Sequence, residues 1–255
     1  MILHIPHSGT VVPESFLKEL LLSQDELQRE MGLMTDHHCN DLYRFPLAKR
    51  IVVPWTRLFC DVERFEDDLK EPMSAYGQGM YYTRTYDARP LRTDTPAGRQ
   101  AALQVYRAHH AALTAAVDDE LQQQGCALIV DCHSFSENAL RVSPNREGFP
   151  DVCIGTDSFH TPVRYADALA NCIRQSGDTV AWNHPFSGSL VPMKHYHKDG
   201  RVHSIMIEVN RRLYLCGDSP KRSSGYDRTA QLCRDMLAAL AGVNAGKEAN
   251  GSTTE

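Results

Sequence analysis

Three segments far apart in the chain each carry, at the end of an apolar run, a side chain able to bind a metal ion or move a proton. The first is His4-Ile5-Pro6-His7-Ser8-Gly9, and the second is Asp131-Cys132-His133-Ser134-Phe135, which follows the apolar run 126–130. The third is Ile205-Met206-Ile207-Glu208-Val209-Asn210-Arg211-Arg212. In open α/β sheets, sites form where strands end and loops begin. Two histidines and carboxylates gathered there from distant segments make an open metal site of three protein ligands and one water. His4 and His7 are an odd number of residues apart, so a regular strand would turn them to opposite sides and exclude joint ligation. Taken singly, each histidine reads better as a hydrogen-bonded loop residue; the joint pattern of three strand ends brings a metal site level with that reading. No His-Glu-x-x-His motif is present, which excludes a zincin helix. Eight cysteines at 39, 60, 126, 132, 153, 172, 216 and 233 form no Cys-x-x-Cys pair. They read as reduced, partly buried thiols, so any metal should be held by His and carboxylate.

The elements that must position these groups alternate between strand and helix. Residues 1–7 read as a first strand. Helical spacing runs through 14–31, with an expected break at Ser23-Gln24-Asp25. A second helix is expected over 36–50, with Thr35 or Asp36 as its cap. One or two strands follow in 51–61. The stretch 64–96 is long, irregular and rich in Gly, Tyr, Arg and Asp, which marks a functional or disordered loop. Residues 98–124 form the clearest helix, and 126–131 a fully buried strand. Strands at 151–155, 179–182 and 203–209 and helices at 162–175 and 226–240 complete the set. The expected architecture is α/β: one domain over 1–242, a mixed central sheet between helical layers, and a polar, mobile tail over 243–255.

With 255 residues, a net charge of -5 and no basic patch of the kind nucleic acid requires, the chain is expected to act on a small molecule. No apolar run approaches the ~20 residues needed to span a bilayer, and the N-terminus has no signal-peptide pattern. The expected compartment is the cytoplasm.

Six blocks make the reading specific. His4-Ile5-Pro6-His7-Ser8-Gly9, Thr35-Asp36-His37-His38 with Asp41-Leu42-Tyr43, and Cys60-Asp61-Val62-Glu63-Arg64 come first. Asp131-Cys132-His133-Ser134, Pro185-Phe186-Ser187-Gly188-Ser189, and Ile207-Glu208-Val209-Asn210-Arg211-Arg212-Leu213-Tyr214 follow in order. Together they resemble the N-formylglutamate amidohydrolases over roughly 1–242. The resemblance implies a fold similar to the zinc carboxypeptidases and phosphorylase/hydrolase-like proteins, and release of formate from N-formyl-L-glutamate. It also implies Zn²⁺ or another divalent ion on His7 and His133, with Glu208 as general base. The carboxypeptidase pattern has a ligating Glu where this chain has Thr10, so Asp36 is the candidate third ligand, with His38 in reserve. Asp36 as a helix cap remains the alternative. Glu63 stands where the family usually has Asn, and His37 where it usually has Trp. A small anionic N-acyl amino acid needs cations and donors: Arg64, Arg57, Asn210 and Arg211 are the candidates, with Asn183, Ser187 and Gly188 as further donors. His110 aligns with a histidine the family tends to carry, and reads equally as a packing residue.

Overall fold

The computed structural model describes residues 1–137, 148–217 and 219–250, with the side chains of 244–250 left undescribed. Six strands form one sheet: β1 (Ile2–Ile5), β2 (Lys49–Val52), β3 (Ala127–Phe135), β4 (Val152–Gly155), β5 (Val180–Trp182) and β6 (Val202–Asn210). Their spatial order is β2-β1-β3-β6-β4-β5. β1 runs parallel to both β2 and β3, and β3 runs parallel to β6. β4 turns antiparallel against β6 and carries β5 parallel to itself. The expected mixed sheet is therefore the one found. The helices are α1 (Glu14–Leu17), α2 (Gln24–Met34), α3 (Cys39–Leu42), α4 (Pro96–Gln124), α5 (Val163–Gln175) and α6 (Tyr226–Asn250). None of the described helices is long and apolar enough to cross a membrane.

The two sheet faces follow from strand alternation. Leu3, Ile5, Leu128, Val130, Cys132, Ile205, Ile207 and Val209 pack with α3, α5 and α6 in one core. Ile2, Ala127, Ile129 and Val202 pack on the other face with Leu113, Ala116 and Val117 of α4. His4, Asp131, His133 and Glu208 share the parity of this second set, so the polar groups at the strand ends open on the α4 side. A separate core of Phe16, Leu27, Met31, Leu58, Tyr82 and Leu91 lies beneath the long loop, which is irregular apart from a 3-10 turn at Pro72–Tyr76. That core anchors the loop.

Several boundaries differ from expectation. The predicted helix over 14–31 breaks: α1 and α2 are separate, and Ser23 caps α2 with a capping box to Glu26. The helix expected over 36–50 shrinks to four residues, because His38 adopts a left-handed conformation before it and Lys49–Val52 pairs with β1. Asp36 is therefore no helix cap. At the C-terminus, α6 continues past 240 to Asn250; the remainder of the expected tail, 251–255, lies outside the described residues.

The turn after β1 is held by close backbone packing. An added Cβ on Gly9 would sit 2.4 Å from the Val53 and Trp55 carbonyl oxygens, and Val11 bridges to Trp55 beside it. Backbone on both sides leaves no room to relax. Gly9→Ala should therefore lower unfolding free energy by about 1–3 kcal/mol, as overpacking does, in urea denaturation. An unchanged midpoint would show that the turn shifts freely.

Candidate active site

β1 stops at Ile5, and Pro6 carries the chain off the strand, so His7 escapes the alternation that governs His4. The expectation that the two histidines face apart is corrected here: both approach the same carboxylate. His4 Nδ1 lies 3.5 Å from Glu63 Oε1, and His7 Nδ1 lies 3.6 Å from Glu63 Oε2. Parallel pairing of β3 and β6 sets His133 directly beside Glu208. His133 Nε2 lies 3.1 Å from Glu63 Oε2 and 3.0 Å from Asp131 Oδ1, and its Nδ1 lies 3.2 Å from Asp36 Oδ2. Donor atoms of His7, Glu63 and His133 all lie within 4.8 Å of one another.

Each histidine is oriented from behind by a carboxylate. The buried His7 ring donates Nε2–H to Asp61 Oδ1 at 2.8 Å. Burial, then the Arg57 charge, lower its pKa against the pull of Asp61 and Glu63, so it is neutral. Its Nδ1 lone pair then points at Glu63 Oε2, with Asp36 Oδ2 at 4.0 Å. Burial opposes charge on His133 too, but Glu63, Asp131 and Asp36 prevail and raise its pKa well above the usual imidazole range. A carboxylate on the remote nitrogen of an imidazole fixes its tautomer and strengthens it as a ligand. Asp61 does this for His7; Asp36 does it for His133.

The carboxylates are in turn held by guanidiniums and donors. Arg57 Nε and Nη2 meet Asp61 Oδ2 at 3.1 and 2.7 Å, and the Tyr82 hydroxyl donates to the same oxygen at 2.9 Å. Burial works against ionising Asp61, yet Arg57, His7 and Arg64 hold its carboxyl well below the ordinary range. Arg211 Nη2 meets Asp36 Oδ1 at 2.7 Å; its other contacts are the Leu33 carbonyl at 2.7 Å and the Ser134 hydroxyl at 3.2 Å. Burial likewise opposes ionisation of Asp36, but His133 and Arg211 keep it depressed. Glu208 is the exception. Burial leads the shift, and although His133 and Arg211 pull it down, Asp36 and Glu63 add to burial and raise it to about 8. Its Oε2 is buried with no hydrogen-bond partner among the described residues.

These groups line a cavity of about 610 Å³, within the usual range for small-molecule sites. Arg57 and Arg64 stand in its wall together with Gln78, Ser187 and Gly188, and Leu33, Met34, Phe65, Met73 and Phe186 supply apolar surface. The neutral His7 lone pair, His133 and the Glu63 carboxylate, whose donor atoms lie within 4.8 Å of one another, fit a divalent cation of the kind that imidazole and oxygen ligands hold.

Not every expected residue arrives. His38 Nε2 meets the Pro220 carbonyl at 2.7 Å instead of the cluster. His110 meets the Val62 carbonyl at 2.9 Å from α4. Asn183 spends its amide on Thr156, and Asn210 binds Glu137 and the Pro150 carbonyl. None of these four lines the cavity. Arg211 does line it, but its guanidinium holds Asp36 and Ser134, so it positions the site. Sequence reasoning missed the roles of Asp61, Asp131, His4 and Glu63. Asp131 was within reach of it, because two residues before His133 on a strand is the same face. Glu63 carried a signal too, as a charge where Asn is usual.

A family model described as N-formylglutamate amidohydrolase matches residues 1–215. An N-formylglutamate deformylase from Pseudomonas putida is 23% identical over 253 residues, covering 94% of this chain and 91% of that protein. The crystal structure of an N-formylglutamate amidohydrolase from Ralstonia eutropha JMP134 shares the fold with a TM-score of 0.82 at 24% identity, covering 97% of this chain and 94% of that one. A gene product from Agrobacterium tumefaciens follows with a TM-score of 0.62 at 18% identity, covering 95% and 90%.

The Asp36–Arg211 pair is almost wholly buried, its side chains 4% and 8% exposed. Arg211→Met should leave the buried Asp36 carboxylate with only His133 and the Ser134 amide as partners and cost about 3–5 kcal/mol, read by chemical denaturation. Adding Asp36→Asn should recover part of that loss. A single variant as stable as the parent would mean that Asp36 reaches solvent.

Proposed function

Because the chain belongs to the N-formylglutamate amidohydrolase family, we propose that it hydrolyses the amide bond of N-formyl-L-glutamate, giving formate and L-glutamate. The observation that carries this reading is the meeting, in one cavity, of a His–carboxylate cluster, a buried Glu208 carboxyl with one unpartnered oxygen among the described residues, and two wall arginines. His7, His133 and Glu63 would hold a divalent ion, zinc by preference. Asp36, the carboxylate ligand expected from sequence, is assigned to orient His133 from its Nδ1 side. When bound, such an ion polarises a carbonyl oxygen and lowers the pKa of water toward ~7.

The protein's own groups do the rest. Glu208 stands beside His133 across the β3–β6 pairing and faces the cavity. It accepts a proton from the attacking water and returns it to the departing amine nitrogen, so the carboxyl ends as it began. A carboxyl that titrates near the working pH does both steps well. Arg64 makes only long contacts, to the Gln78 and Glu63 carbonyls at 3.3 and 3.4 Å and to the Asp61 and Glu71 carboxylates at 3.8 and 4.0 Å, and its side chain is 22% exposed at the wall. It is the group assigned to a substrate carboxylate, since guanidinium forms a two-point fork with that group. Arg57 sits deeper, tied to Asp61, and adds positive potential. Ser187 and Gly188 also line the cavity.

The apolar wall favours a second reading on the same machinery, in which the acyl group is larger than formyl. Leu33, Met34, Phe65 and Phe186 give a surface that a formyl hydrogen does not fill. Product release across a panel of N-acyl glutamates separates the two readings, with formylglutamate fastest under the first.

Formate release from N-formylglutamate should be abolished by chelator and restored by divalent metal. Turnover that survives complete metal removal would end the metal assignment. Glu208→Gln keeps shape and loses proton exchange, so kcat should fall about 10²–10⁴-fold with metal content unchanged. If that variant instead loses its metal, Glu208 is a ligand. Arg64→Lys should weaken kcat/KM by about 1.5–3 kcal/mol, the range of a charge-assisted hydrogen bond. N-formylglutamine should be a poorer substrate for the parent enzyme, and equal rates on the amide and the acid would remove the carboxylate role of Arg64.

A further inference from the structure

Glu63 is flanked by imidazoles on both of its oxygens. Oε2 faces His7 and His133, whereas Oε1 faces His4 Nδ1 at 3.5 Å. His4 Nδ1 also lies 2.8 Å from Asp131 Oδ1. His4, Glu63 and Asp131 thus bring donor atoms within 4.8 Å of one another, as His7, Glu63 and His133 do. We propose that a second divalent cation binds between His4, Asp131 and Glu63, with Glu63 bridging it to the first. The proposal rests on the metal reading above and extends it from one ion to two.

The packing around His4 supports a ligand role. The residue is fully buried on β1, and its far nitrogen Nε2 meets His109 Nε2 of α4 at 2.9 Å. Two imidazole nitrogens at that distance share one proton. With His4 Nε2–H as the donor, Nδ1 presents a lone pair to two carboxylates, an array that attracts a cation and repels itself without one. In the other tautomer, Nδ1–H satisfies Asp131 but leaves Glu63 Oε1 facing the same nitrogen with no proton of its own. A cation serves both oxygens together. Asp131 is already fixed in place, because its Oδ2 accepts the Leu190 amide at 3.2 Å.

Charge points the same way. Asp36, Glu63, Asp131 and Glu208 line the cavity with Asp61 behind them, against the guanidiniums of Arg57, Arg64 and Arg211. A substrate with two carboxylates adds two more negative charges. With Glu208 ionised as the base and the imidazoles neutral as ligands, five carboxylates and the substrate's two exceed three guanidiniums and one divalent ion by two charges, a surplus that is expensive out of water and that a second ion removes. Two-ion sites place their ions about 3.5–4 Å apart, a span that one bridging carboxylate covers.

Metal-stripped protein titrated with Mn²⁺ alone tests the idea without reference to activity. The expected result is two equivalents bound, with the electron paramagnetic resonance spectrum of an exchange-coupled pair growing in with the second. His4→Ala and the more conservative His4→Gln should each bind one equivalent with an uncoupled spectrum. A parent protein that saturates at one equivalent, uncoupled, overturns the second site and leaves the first intact. Two equivalents retained in both His4 variants overturn it as well, by placing the second ion elsewhere. No binding at all would sink the metal reading itself, a different failure from either of these.

Discussion

A carboxylate withdrawn from water must meet a cation or hydrogen-bond donors, and at one end of this sheet five carboxyl groups face that demand together. Asp36, Asp61 and Asp131 are almost fully buried, and Glu63 and Glu208 stand among them. The surrounding structure follows from how each is satisfied. Asp61 takes His7, Arg57 and Tyr82; Asp36 takes His133, Arg211 and the Ser134 amide; Asp131 takes His4, His133 and the Leu190 amide. Those partners come from β1 and the turn after it, the segment after β2, the long loop, β3, the β5–β6 connection and the turn after β6. Neutralising the carboxylates is therefore what ties distant parts of the chain into one site.

Glu208 escapes this arrangement, and its chemistry follows from the escape. The carboxyls paired directly with Arg57 or Arg211 are held ionised. Glu208 has its charged neighbours at a distance, and one oxygen without a partner, so burial raises it. Strand pairing alone places it: His133 and Glu208 sit side by side because β3 and β6 run parallel in that register. Two groups shifted in the same direction, an imidazole and a carboxyl that both hold a proton more tightly than usual, thus adjoin through strand pairing.

Much of this was legible in the sequence. The apolar run before Asp131, the Ala-rich stretch that becomes α4 and the alternation in β6 all report local preferences that tertiary packing respects. Reading strand ends as site positions located His7, His133 and Glu208 in one cavity. The failures share a cause. Residues 36–50 have helical spacing, but Leu42 and Tyr43 are buried by the sheet and α6, and the Tyr43 hydroxyl reaches the His133 and Ile207 carbonyls. That tertiary bond overrides a local preference. The parity argument against His4 and His7 failed in the same way: it holds on a strand, and the strand ends before His7. His110 and Asn183 spend their polar atoms on the Val62 carbonyl and on Thr156, partners distant in sequence that residue type alone does not disclose.

Glu63 is the residue whose identity changes the site most. The sequence resemblance leads one to expect a neutral Asn at this position, whereas here Oε1 faces His4 and Oε2 faces both His7 and His133. An amide there would offer one oxygen and one N–H donor group, so it could face a cation on one side only and would present a donor to the imidazole on the other. A carboxylate offers acceptors to both sides and adds a full negative charge among imidazoles. That charge raises His133, pulls against the lowering of His7 by burial, and helps hold Glu208 high. One substitution thus sets both the proton affinities of the neighbouring groups and the affinity of the cavity for cations. The arginines answer the rest of the charge. Arg57 and Arg211 make short bonds inside the protein, which leaves Arg64, whose contacts to carbonyls and to Asp61 and Glu71 are all long, as the cation best placed to meet an anionic substrate.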